Sequence, residues 1–167
     1  VGIGTITDCL SAVKYNVYDN KKFTMGELLQ ALKDNFVGHE DIHNLVCNKT
    51  PKYGNDDDYA DDLMKKVFYL YQEEITDRPN MKGGTWRVDM LPTTCHVYFG
   101  DVMIASANGR LAHKPVSEGI SPEKGADVNG PTAVIKSCAK MDHLKTGGTL
   151  LNQKFLPETI AGEEGLD

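Results

Sequence analysis

The sequence predicts an α/β chain, mainly helical over residues 1–79 and built of short strands, a long loop and short helices over 80–167. Three patterns carry this prediction. Apolar residues recur at helical spacing between residues 7 and 76. A period of two runs from Thr93 to Phe99, the mark of a strand with two unlike faces. From Ser106 to Pro131, Gly, Pro, Asn and Ser accumulate without a repeat. That is long for a structureless connection and usual for a loop that is functional or wraps a neighbour.

Each element follows from local chemistry. Residues 7–19 are predicted as a helix capped by Thr7 or Asp8, with Leu10, Val13 and Val17 on one face. Thr24 and Glu27 have capping-box spacing. They open a helix carrying Leu28, Leu29, Leu32 and Phe36, with Gly38 as its stop. A short helix over 40–47 ends before Pro51. The strongest helical pattern, 57–76, aligns Ala60, Leu63, Met64, Val67, Phe68 and Tyr71. Its acidic start places carboxylates at the positive end of the helix dipole. Beyond Gly83-Gly84, residues 86–89 read as a short strand and 93–99 as a longer one. Residues 133–141 read as a helix and 150–155 as an extended segment.

Composition narrows the function classes. With 167 residues, 40% apolar and 25% charged, the chain can bury an ordinary core. A net charge of −6 without a basic patch argues against nucleic acid or an anionic membrane as partner. The apolar runs are far too short to span a bilayer, and residues 1–10 lack a basic start and a long apolar stretch. Cys9, Cys47, Cys95 and Cys138 are widely spread, so reduced thiols in a cytoplasmic protein are expected. No zinc-ligand spacing is present.

The candidate chemistry is sparse. Cys95-His96 invites a thiol–imidazole pair, but neighbours on a strand point to opposite faces. Cys9, Cys47 and Cys138 sit in apolar patterns and read as core. The acidic run from Asp56 to Asp62 lacks the calcium-loop pattern and reads as a solvated helix start. Gly2-x-Gly4 is only a fragment of a dinucleotide fingerprint. Gly147-Gly148-Thr149 reads as a turn, or a nest able to hold an anion. Asn108-Gly109-Arg110 reads as a turn whose arginine ties the long loop down. The ends lack closing elements, as expected of a piece of a longer chain.

Several blocks, in order, resemble the glycyl-radical enzyme family. They are Asp8 to Lys14, Lys52 to Asp57, Thr93 to Gly100, Ala107 to Arg110, Gly119 to Pro122, Gly130 to Ala133 and Gly148 to Lys154. The resemblance implies a ten-stranded α/β barrel of two antiparallel half-barrels, of which residues 1–167 form part. It also implies a backbone glycyl radical in the parent protein, installed by an S-adenosylmethionine iron–sulfur activating enzyme. That radical passes to a cysteine, which takes hydrogen from a small-molecule substrate. The catalytic loop, Cys-x-Glu in dehydratases, is expected before Val1, and the radical motif Arg-Val-x-Gly-Tyr beyond Asp167. This chain alone is then inactive, binds no cofactor, and belongs to a homodimeric parent.

The stretch from Met90 to His96 looks more like the hydroxyproline-type dehydratases than the formate lyases. Glycerol or diol dehydratases, formate C-acetyltransferases, arylacetate decarboxylases and a non-catalytic fragment are the alternatives. In the dehydratases the strand near Thr93 lines the substrate cavity. Strand alternation then makes Leu91, Thr93 and Cys95 the candidate substrate-binding residues.

Overall fold

The computed structural model describes residues 1–91 and 94–155. Six α-helices appear among them: α1 (Ile3–Ala12), α2 (Met25–Lys33), α3 (Glu40–Asn48), α4 (Asp58–Ile75), α5 (Cys95–Asp101) and α6 (Pro131–Ala139). Only two isolated β-bridges accompany them, Pro79 with Thr85 and Met90 with Thr149. The described residues are therefore dominated by helices, and no barrel of strands is displayed among them.

Helix α1 begins four residues before the predicted caps. Gly2 takes a left-handed φ of 83° as N-cap, and its N–H reaches Ser117 O at 2.7 Å. Thr7 and Asp8 consequently lie inside the helix, fully buried, and cap nothing. Beyond Ala12 the helix widens into a π-helix over Val13–Asp19, in which Asn20 N donates to Tyr15 O five residues back. Buried Asn16 donates to both Ala12 O and Thr50 Oγ1, tying the widened turn to the segment before α4.

The locally encoded helices match the sequence. Thr24 and Glu27 form the predicted capping box, with Glu27 N donating to Thr24 Oγ1 and Thr24 N to Glu27 Oε2. Helix α2 nevertheless stops at Lys33, short of Gly38. Asn35 and Phe36 turn left-handed, which drives Phe36 into the core at 3% exposure. Helix α3 lies where predicted. In α4, Asp57 caps Tyr59 N, and Ala60, Met64 and Phe68 form the buried stripe, whereas Tyr71 faces outward.

The acidic run is not simply solvated. Asp61 is fully buried, and Asp56, Asp58 and Asp61 all bind Nζ of Lys140, the C-cap of α6, at 3.0, 2.7 and 2.7 Å.

The largest correction concerns residues 95–99 of the expected strand. Cys95–Asp101 is helix α5, although the Cys-His-Val-Tyr-Phe run has a strand pattern. Tertiary contact decides this. Buried Gly100 lies so close to the chain that an added Cβ would fall 2.2 Å from Lys114 O, and Val116 N donates to His96 O. Residues 86–89 and 150–155 form no regular strand; residues 88–90 pair with 147–150 as a short ribbon.

Two apolar clusters hold the chain. One joins α1, α4 and α6 through Ile3, Met64, Phe68, Val134 and Cys138, and also takes Val88 and Met90 from the ribbon. The other gathers Ala12, Phe23, Leu28, Ala31, Phe36 and Val46. Cys138 is buried, Cys9 and Cys47 are half-buried against the second cluster, and all four cysteines are free thiols. No helix among the described residues is long and apolar enough to cross a membrane.

Candidate substrate-facing ribbon and its polar support

The predicted site lies on an extended ribbon. Gly147 N donates to Val88 O, Met90 N to Gly148 O and Leu150 N to Met90 O, at 2.9, 2.8 and 3.1 Å. Ile120 N then donates to Leu150 O, so the long loop adds a third lane. The Gly147 amide is thereby engaged within the ribbon, which favours the turn reading over an anion nest. Side chains alternate along the outer lane. Val88 and Met90 point into the core at 3% and 6% exposure, while Arg87, Asp89 and Leu91 face outward.

The three residues predicted to share one strand face fare differently. Leu91 is 43% exposed at the end of the ribbon. Thr93 lies outside the described residues. Cys95 sits half-buried in the first turn of α5, so strand alternation does not relate it to Leu91. Cys95 and His96 are neighbours on this helix.

His143 braces the ribbon from behind. Its Nε2 lies 3.0 Å from Cys138 O and its Nδ1 3.0 Å from Thr149 Oγ1. A carbonyl only accepts, so Nε2 donates to Cys138 O, while Nδ1 is hydrogen-bonded with the Thr149 hydroxyl. Arg110 orders the long loop as expected, and more completely. Its guanidinium donates to Ser106 Oγ, Leu111 O, Lys114 O and Ile104 O.

Sequence reasoning missed the polar layer beneath the loop. Asp8 accepts Tyr53 N at 2.8 Å with one carboxylate oxygen and has no partner for the other. Lys52, also buried, donates to Asn108 O at 2.7 Å. Glu123 accepts from the Thr5 hydroxyl and Asn108 Nδ2. The available signal was a single aspartate within an apolar helical pattern. Burial pushes the Asp8 pKa up to about 7 against the opposing pull of Lys52 and the Tyr53 amide, with Glu123 and Asp61 adding to the rise. Among the described residues, no cluster of three or more His, Cys, Asp or Glu could hold a metal ion.

The raised pKa makes a stability prediction. Below its ordinary value of 3.8, Asp8 is protonated in the folded and the unfolded chain alike. Between 3.8 and about 7 the unfolded chain has released a proton that the folded chain keeps. Raising the pH through this window therefore favours unfolding, by on the order of 4 kcal/mol for this group. Urea midpoints at pH 5 and pH 8 should show the fall, and Asp8→Asn should flatten it. Asp61, also raised by burial, leaves a residual slope of the same sign.

Fold and geometry place the chain beside radical enzymes of known sequence. Residues 1–100 match the Pyruvate formate lyase-like family and residues 116–167 the Glycine radical family. The chain belongs to the pyruvate formate lyase-like family of glycyl-radical enzymes. It is 71% identical over 167 residues to the trans-4-hydroxy-L-proline dehydratase of Clostridioides difficile, matching 100% of this chain and 21% of that protein. The crystal structure of hydroxyproline dehydratase from the same organism, with trans-4-hydroxy-L-proline bound, superposes with a TM-score of 0.95 at 70% identity. It covers 99% of this chain and 21% of that one. The glycerol-bound B12-independent glycerol dehydratase of Clostridium butyricum gives a TM-score of 0.89 at 40% identity, again over 99% of this chain and 21% of the other. The chain spans about a fifth of the length of these relatives.

Proposed function

We propose that the full-length protein is a glycyl-radical dehydratase that removes the elements of water from a small hydroxylated substrate, with trans-4-hydroxy-L-proline the first candidate. The observation that carries this reading is the 71% identity, unbroken across the chain, to a dehydratase of that substrate. In this reading the chain is part of the wall of a ten-stranded α/β barrel in a cytoplasmic homodimer. Leu91, Thr93 and Cys95 contribute to the substrate cavity. A glycyl radical, installed by an S-adenosylmethionine iron–sulfur activating enzyme, supplies the hydrogen-atom abstraction.

The chain's own residues supply placement and shelter. The ribbon holds Leu91 outward while Val88 and Met90 anchor it to the core. A fixed apolar surface positions a small substrate and keeps water away from it. Val97, Tyr98, Phe99, Val102 and Ile104 form an exposed apolar run in and after α5. Such a run supports packing against the remainder of the full-length protein, so the isolated chain contributes a wall and not a complete centre.

The test is anaerobic activation of the full-length protein with its activating enzyme, followed by substrate assay. Consumption of trans-4-hydroxy-L-proline is expected. Cleavage of pyruvate with coenzyme A and no turnover of hydroxyproline would sink the reading. Leu91→Ala should raise KM about tenfold with an unchanged melting temperature, as loss of binding predicts. An unchanged KM removes Leu91 from the cavity.

A further inference from the structure

A cleft of about 410 Å³ lies against the long loop, with Asp8, Lys52, Asn108, Lys114, Glu123 and Lys124 among its lining. Its electrostatics are unbalanced. Lys52 is 8% exposed, and no carboxylate lies within ion-pair distance of it among the described residues. Arg110, 7% exposed and also lining the cleft, is held only by neutral oxygens. Lys114 and Lys124 at the rim are exposed and likewise make no ion pair.

The two nearby carboxyl groups do not restore the balance. Glu123 accepts from Thr5 and Asn108 and sets one carboxylate against the four cations of the lining. Asp8, fully buried and part of the lining, has one oxygen without a partner and is biased by burial toward its neutral acid form. Buried cations without a counter-charge are costly, and a chain of net charge −6 has no general excess of cations that would place four of them here. A protonated Asp8 adds an O–H donor to a lining that also holds the ammonium of Lys52. Together they offer donors of the kind that hold an oxyanion.

We propose that this cleft is a binding site for a small oxyanion, a free phosphate or small carboxylate. Lys52 and Asp8 form its floor, and Lys114 and Lys124 its rim. The proposal does not depend on the dehydratase reading. The same chemistry could come from an acidic side chain elsewhere in the full-length protein, and the test separates the two sources.

The probe is inorganic sulfate, which stays fully ionised between pH 6 and 8, titrated calorimetrically into the full-length protein at constant ionic strength set with chloride. Saturable one-to-one binding is expected. It should weaken about tenfold in the double variant Lys114→Gln/Lys124→Gln, a loss of about 1.4 kcal/mol. Binding should also be tighter at pH 6 than at pH 8, and Asp8→Asn should abolish that difference. The rim lysines are exposed, so their double variant keeps the fold and gives an answer even if changes at Asp8 impair folding. The proposal is overturned by the absence of saturable heat, the result if a carboxylate of the protein's own chain fills the cleft. Equal affinity in the double variant and the parent would overturn it as well.

Discussion

Replacing Gly119 by alanine is expected to destabilise the protein by about 3 kcal/mol or more, by opening the ribbon that carries Leu91. Two costs combine. Gly119 has a φ of +48°, a conformation that L residues rarely adopt. An added Cβ would also fall 2.4 Å from Leu150 O and 3.2 Å from Met90 O. Both are backbone atoms of the lanes that Gly119 joins, so no rotamer change relieves the clash. The lanes must part, and the Ile120-to-Leu150 hydrogen bond goes with them. Gly125 is the control. It too has a positive φ, +76°, but nothing lies within 4 Å of its Cβ position. Gly125→Ala should cost only about 1 kcal/mol of backbone strain. Limited proteolysis of the two full-length variants, with cleavage mapped to residues 119–150, checks the contrast. Equal protection would show that the close approach at Gly119 carries no weight.

Lys140→Met is expected to cost about 3 kcal/mol. Lys140 Nζ binds Asp56, Asp58 and Asp61 at once. Partial burial lowers its pKa, but the hydrogen bonds it donates to Asp58, Asp61 and Asp56 outweigh this and hold it above the ordinary lysine value. The exposed Asp58 matters little, since surface pairs are weak. The cost lies with Asp61, which is fully buried and has one oxygen already without a partner. Removing Lys140 leaves that carboxylate with only the Ser137 hydroxyl, and breaking a buried pair costs about 3–5 kcal/mol. The lower end applies because burial already raises the Asp61 pKa and eases its protonation. Hydrogen exchange of α4 and α6 amides in the full-length protein should quicken about a hundredfold. Adding Asp61→Asn should recover most of the loss. No recovery would mean that the cost does not lie with the Asp61 carboxylate.

Both predictions rest on features that the sequence displayed only in part. The acidic run is visible as a helix start, and that much is correct. Its cation comes from the C-cap of α6, about eighty residues away, and no local pattern names it. Gly119 sits in a block that resembles the family, yet what makes it irreplaceable is the approach of Leu150 and Met90. The candidate site divides the same way. Leu91 lies on an outward edge, but α5 removes the alternation that linked it to Cys95. In the sequence Thr7 or Asp8 has the place of a cap because the visible apolar periodicity begins there. The true start depends on Gly2 reaching Ser117, a contact that joins the two halves of the chain.

The amino-acid sequence by itself determined the helices whose signals are local. The Thr24–Glu27 box, the Asp57 cap and the apolar stripe of α4 each act within a turn or two, where side-chain hydrogen bonds and 3.6-residue spacing decide the outcome. It also carried the turn at Asn108–Arg110 and the family blocks. Tertiary structure alone decided the helical state of Cys95–Asp101, the burial of Asp8, Lys52 and Asp61, and the assembly of the ribbon. The physical reason is common to all three. Each depends on a close approach between residues far apart in sequence, where backbone oxygens, desolvated charges and packed side chains outweigh local preference.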